Sequence, residues 1–247
     1  MTMFATVNVE RPDPRLARAW LEASVTHLFP DLWALPRAGH VTVTPYEDGP
    51  INTWKRTPER WEQALAALDQ PDTIPETVSV GLVQGERFGR ASAGWASDRG
   101  VELGAGTSND ADWFGFLVSL LADANPSYGQ VSSSAEGAST YTELDMALLR
   151  HARESFVAGR TALRGYSWIT VVPAELAGRV DPSTMHRTAS LPGGGLILQA
   201  TATPAEYDEA AVCKVFRAVA QALPPGLPKQ PPARNLQVVF EDASTVG

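Results

Sequence analysis

The stretch ETVSVGLVQGERFGRASAGWASDRGVELGAGTS (76–108) decides the fold. Three β-type runs, 76–85, 88–97 and 100–108, are separated by the connectors GER and DRG. Such short, glycine-containing links join neighbouring antiparallel strands. A sheet of this kind buries one face, so the flanking sequence must supply a cover.

The cover is legible on both sides. Downstream, Asp110 is placed to cap the helix ADWFGFLVSLLADAN (111–125). There Trp113, Phe116, Leu117, Leu120, Leu121 and Ala124 share one face. Upstream, Thr57-Pro58 opens a helix with Trp61, Leu65 and Leu68 at core spacing. Asp13-Pro14 opens another, with Leu16, Ala19, Trp20, Ala23 and His27 or Leu28 as its stripe. Strands are expected at 3–9 and 40–44, and a polar loop carrying Tyr46 and Trp54 at 45–56.

Beyond residue 140 the pattern predicts a helix near 141–157, a strand at 166–172 and a short helix at 173–180. A strand at 195–202 and a long helix lined by Val212, Val215, Phe216, Val219 and Leu223 follow. Thr203 and Glu206 have capping-box spacing ahead of that helix. The proline-rich 224–232 reads as a stiff connector and 235–242 as a last strand. The expectation is an α+β fold, a mixed and largely antiparallel sheet covered by amphipathic helices. Residues 1–247 form a single domain, with the Ser/Ala/Gly-rich 132–139 as the point where it would divide into two halves.

Charge and composition narrow the function classes. The net charge is −8, and residues 1–150 hold 20 Asp and Glu against 11 Lys and Arg, a balance of −9. Such a surface repels nucleic acid and anionic membranes and attracts a basic protein. No apolar run approaches the ~20 residues that cross a bilayer, and residues 1–14 lack a secretory pattern. A cytoplasmic protein is expected. Cys213 is the single cysteine, so no intrachain disulfide or cysteine-built zinc site can form.

No motif announces chemistry. Gly193, Gly194 and Gly195 lead into a strand, whereas phosphate-binding glycines open a helix. They read as a turn. His27, His40, His151 and His186 show no metal-ligand spacing, and Ser167, His186 and Asp181 could form a triad only by tertiary approach. No catalytic residue, metal site or cofactor is expected. Acids beside loop aromatics suit a protein-binding edge, and the candidate contacts are Tyr46, Glu47, Asp48, Trp54, Asp98 and Asp110. Trp33 and Trp54 stand apart as loop tryptophans.

NPSYGQVS (125–132), GYSWITVVPAELAGRV (165–180) and GGGLILQATATPAEYDEA (193–210) followed by LPPGLP (223–228) together carry a resemblance. In this order they resemble the α+β immunity proteins encoded beside bacterial polymorphic toxins and type VI secretion effectors. The likeness covers roughly 100–230 and leaves the first hundred residues unmatched. It implies a non-catalytic protein that binds and blocks a toxin. The matching pieces are strands and turns, so no binding residue transfers with them. The expectation is therefore a binding protein that occludes a protein partner, with a basic toxin domain as the expected kind. The alternatives are an enzyme or small-molecule binder with a pocket on the glycine-rich strands 88–108, and a structural subunit of a secretion or injection assembly.

Overall fold

A computed structural model describes residues 1–10, 13–35, 39–45, 50–69, 77–96, 100–133, 141–229 and 237–246. The chain divides into two compact units, Met1–Phe116 and Leu117–Gly247. Both combine antiparallel strands with helices, so the class is α+β.

The first unit contains β1 (Met3–Val9), α1 (Pro14–Ala23), α2 (Pro30–Trp33), β2 (His40–Thr44), β3 (Asn52–Lys55) and α3 (Pro58–Leu68). β4 (Thr77–Gln84), β5 (Arg87–Ala96) and β6 (Gly100–Thr107) are the three strands of the opening stretch, and α4 (Trp113–Leu120) runs across the boundary of the units. The strand order is β3-β2-β4-β5-β6-β1, every ladder antiparallel.

Register explains the core. Val41, Val80, Ala91, Ala105 and Ala5 lie opposite one another in a row across five strands, all of them buried. Val43, Val78, Ala93, Leu103 and Val7 form the next row. Alternation puts both rows on one face, and the central alanines leave room for helix side chains. α1 packs there with Ala17, Trp20 and Leu21 buried, and the Trp20 indole N–H donates to the Gly104 carbonyl at 2.9 Å. Burying each large side chain contributes about 1.5–3 kcal/mol. The covered stripe of α1 and its π-helical extension Ser24–Leu28 is thus Ala17, Trp20, Leu21, Ser24, Val25 and Leu28. Apart from Trp20 and Leu28, the expected stripe is displaced, and His27 is exposed. The tryptophan's bond to the sheet fixes the helix's rotation.

Glycines in β5 and β6 serve packing. A Cβ on Gly89 would meet Phe29 Cγ at 2.6 Å, and one on Gly106 would meet Phe4 Cδ1 at 2.8 Å. At these two positions the protein's own rings take up the space beside the backbone.

The second unit holds β7 (Tyr128–Ser132), α5 (Glu143–Ala147), α6 (Ala152–Val157), β8 (Ile169–Val172), α7 (Ala174–Ala177), β9 (Arg187–Ser190), β10 (Leu196–Gln199) and α8 (Glu209–Val219). Its strand order is β7-β8-β10-β9, again antiparallel. The three glycines turn the β9–β10 hairpin. Gly194 N donates to the Leu191 carbonyl and Leu191 N to the Gly195 carbonyl, both at 2.8 Å, with Gly194 at φ +91°. That positive φ is the conformation glycine adopts without a steric penalty.

Several expected elements differ. The loop 45–56 contains β3, paired with β2 through Val41 and Trp54. The helix near 141–157 is two short helices, α5 and α6, with Leu149 at φ +55° between them. Strands β7 and β9 escape sequence reading because their residues do not alternate. All five residues of β7 are buried, whereas β9 is mostly exposed. Thr203 and Glu206 do form a capping box, but around the 3-10 turn Pro204–Glu206, and Asp208 caps α8. Residues 237–242 form no strand. Val239 N donates to Tyr166 Oη and Gln237 N to Glu143 Oε2, each at 2.8 Å, so side chains satisfy this segment's backbone. The connection at 132–139 lies largely outside the described residues, since 134–139 are among those not described.

Candidate functional site

A recess lined by described residues lies in the first unit, between α1 with its π-helical extension and α3. Thr57 caps α3 by accepting from Arg60 N at 3.3 Å, which sets Pro58, Trp61 and Glu62 on one face at helical spacing. Across from them Glu22, Val25 and Thr26 repeat the same spacing. With Trp33 and Arg56 at one end, these residues line a cleft of about 350 Å³. That is the lower range of small-ligand pockets, ~300–1,000 Å³.

The end of the cleft is a tryptophan corner. Trp33 and Trp61 meet edge to face, with ring centroids 5.0 Å apart and planes at 65°. Such pairs contribute ~0.5–1.5 kcal/mol beyond their area. The Arg56 guanidinium stacks on Trp33 at 4.3 Å from the ring centroid, and its Nη2 donates to the Leu35 carbonyl. Burial pulls the Arg56 pKa below its usual value. Arg56 N also donates to the Gly39 carbonyl at 3.1 Å, so this arginine is held as a wall.

Arg18 clamps the two helices beside the cleft. Its Nε meets Glu22 Oε1 at 3.0 Å, its Nη1 meets Asp69 Oδ2 at 3.3 Å and its Nη2 meets Glu62 Oε2 at 3.5 Å. Burial works against the Arg18 charge, and the three carboxylates outweigh it, leaving its pKa raised. One guanidinium therefore serves three carboxylates, a local balance of −2.

Next to the cleft runs β3, the outer strand in the first unit's order. Trp54 is half-buried in its centre, and the Arg60 guanidinium sits 5.0 Å from its ring centroid. Asn52, Thr53 and Lys55 are exposed. Of the residues expected at the binding edge, the structure places Trp54 in β3, two residues before Arg56 of the cleft. Tyr46, Glu47, Asp48 and Asp98 lie outside the described residues. Asp110 is exposed and does not cap α4; Asp112 does, accepting from Gly115 N at 3.0 Å.

Sequence reading sets Trp33 apart and assigns Trp61 to the core, where it is buried, but passes over Glu22, Arg56 and Glu62. The usable signal was the paired spacing 22/25/26 and 58/61/62, which places two carboxylates and an indole on facing helices.

The second unit buries a polar group of a different kind. Arg164 is 2 % exposed, and its Nη2 meets Asp145 Oδ2 at 3.1 Å while its Nε donates to Ser155 Oγ at 3.0 Å. Its guanidinium carbon lies 3.7 Å from the Phe156 ring centroid. Asp145 Oδ2 also accepts from Thr142 N at 3.2 Å, and Thr142 Oγ1 donates to the Arg164 carbonyl at 2.7 Å. These bonds close on one another. They tie α5 and α6 to the segment ahead of β8, which is a structural role.

Two members of the conceivable triad are used locally. Ser167 Oγ donates to the Val131 carbonyl at 2.9 Å and Asp181 accepts from Ser183 N at 3.0 Å. His186 is exposed, and none of the three bonds another. Among the described residues no three His, Cys, Asp or Glu side chains converge on a metal position. No helix of the described residues is long and apolar enough to cross a membrane. Comparison with known protein families, curated proteins and solved structures finds no match to this chain.

Proposed function

We propose that this is a cytoplasmic, non-catalytic binding protein of the immunity type, which occludes a basic protein partner through the first unit. The observation that carries the reading is Trp54, a half-buried indole in the outer strand β3 with the Arg60 guanidinium 5.0 Å from its ring centroid. Aromatic residues and arginine are enriched where proteins meet. An outer strand also offers a row of backbone groups to an incoming chain.

Charge supports the sign of the partner. Residues 1–116 carry 16 Asp and Glu against 10 Lys and Arg, a balance of −6. The corner itself is mixed, with Lys55, Arg56 and Arg60 near Glu59 and Glu62. The general field therefore supplies attraction while the tryptophans supply contact area. Field-driven association weakens as salt shortens the screening length.

The test is a photo-crosslinker at Thr53, exposed in β3, used in cells that naturally make this protein. A basic protein adduct that Trp54→Ala abolishes, and that weakens with salt in a purified binding assay, is expected. Absence of any adduct, or one indifferent to Trp54, contradicts the proposal.

A further inference from the structure

Among the described residues, five hydrogen bonds fasten 237–246 to the rest of the second unit. Gln237 N donates to Glu143 Oε2 and Val239 N to Tyr166 Oη, both at 2.8 Å. Gln237 Nε2 donates to the Tyr207 carbonyl at 3.3 Å and Gln221 Nε2 to the Val246 carbonyl at 3.1 Å. Asp242 Oδ1 accepts from Gly226 N at 3.0 Å. Each of these bonds has a side chain on one side, and residues 237–242 join no ladder. A segment held in this way opens at a lower free energy than a strand within a sheet.

The connection into the segment is a second observation. Lys229 N donates to the Ala147 carbonyl at 2.8 Å, and Glu143, which receives Gln237 N, stands four residues before Ala147 in α5. Residues 229 and 237 are thus anchored one turn apart on a single helix, ~6 Å along its axis. The sequence between them is QPPARNL (230–236). Pro231 and Pro232 fix their own φ and bias the residue before each toward extended backbone. In the extended proline form, the eight steps from 229 to 237 cover about 25 Å. A sequence that favours extension closes so short a gap poorly. A stiff link mismatched to its span lowers the effective concentration of the tethered segment below the ~mM of a flexible one. The same segment from a neighbouring chain then competes for the seat.

We propose that two copies of this chain exchange residues 237–246, each segment seating on the other copy's Glu143, Tyr166 and Gly226. The occupant is a second copy because this chain's own sequence already meets all five bonds. Exchange remakes every bond of the closed form, so the balance rests on the connector and on protein concentration. The inference is independent of the binding role given to the first unit.

The test uses the full chain with a benzophenone amino acid in place of the exposed Phe240. Unlabelled and nitrogen-15 chains are mixed and irradiated at steps from about 10 µM to about 1 mM, up to the effective concentration of a short link. Mass spectrometry reads whether the two peptides joined at position 240 come from one chain or from two. Mixed-isotope pairs are expected, rising with concentration and joined to peptides that hold Glu143, Tyr166 or Tyr207. Single-isotope pairs at every concentration overturn the proposal, even if light scattering finds a dimer, because that dimer uses another face. Mixed pairs joined to other parts of the chain overturn it as well. Pro231→Gly with Pro232→Gly leaves the seat intact and should cut the mixed fraction about fivefold or more, since a flexible link closes on its own chain. An unchanged mixed fraction in that variant overturns the role given to the connector.

Discussion

Replacing Asp145 by alanine removes the carboxylate that meets Arg164, a guanidinium that is only 2 % exposed. In the native chain it meets Asp145 Oδ2 at 3.1 Å and is sandwiched against Phe156 at 3.7 Å. Removing one partner of a buried pair costs about 3–5 kcal/mol, because the other charge loses an ionic partner that water cannot replace. The substitution also removes the acceptor of Thr142 N and opens the capping box of α5, about 1 kcal/mol more. A total near 4–6 kcal/mol is a large part of the ~5–15 kcal/mol that holds an ordinary domain. The expected melting shift is on the order of 10–20 °C for the second unit. Urea titration, followed by hydrogen exchange at the amides of α5 and α6, measures it. Asp145→Leu combined with Arg164→Met should recover much of the loss, since an apolar pair leaves no stranded charge. A loss below about 1 kcal/mol for Asp145→Ala, or a double variant weaker than the single one, would refute a closed structural network.

Four further outcomes follow from packing and titration. Gly89→Ala sets a Cβ 2.6 Å from Phe29 Cγ and should cost about 1–3 kcal/mol in chemical denaturation. Gly178→Ala, with no atom within 4 Å of the added carbon, should stay within about 0.5 kcal/mol. Asp242 Oδ1 accepts from Gly226 N, Ser244 Oγ and Ser244 N, which lowers its pKa. The stabilisation it supplies is therefore complete above the ordinary Asp value of ~3.9 and is lost as pH falls through the lower folded value. Proteolysis after residue 240 should accelerate in that acid window, and Asp242→Asn should remove the pH dependence. Burial holds the hydroxyls of Tyr128, Tyr166 and Tyr207 well above their usual range. Stability is then present below ~10 and falls as pH rises beyond it. Ultraviolet titration should find these three of the five tyrosines silent until the chain unfolds.

Local signals were legible where one residue settles one geometry. The 76–108 hairpins form as expected because GER is too short for anything but an antiparallel turn, and β4–β5 pairs in register from Thr77–Gly94 to Gln84–Arg87. Asp13 and Thr57 cap the helices they announce. What failed depended on distant partners. The phase of α1 follows from the Trp20 bond to Gly104, 84 residues away. β3 looked like loop because its exposed side chains do not alternate, yet backbone pairing to β2 makes it a strand. The cleft was hidden for a related reason. Trp61 satisfies a core pattern and Glu62 a surface pattern, and their joint role appears only when α3 faces Glu22. The acids expected beside Trp54, Glu47 and Asp48, lie outside the described residues, so their share in the edge rests on sequence alone.

The binding role meets its most direct trial in a paired crosslinking measurement, from Thr53 on β3 and from the exposed Arg90 on β5. One basic protein captured from position 53, absent from position 90 and lost with Trp54→Ala, is the predicted result. Equal capture from both positions, or none from either, would contradict it.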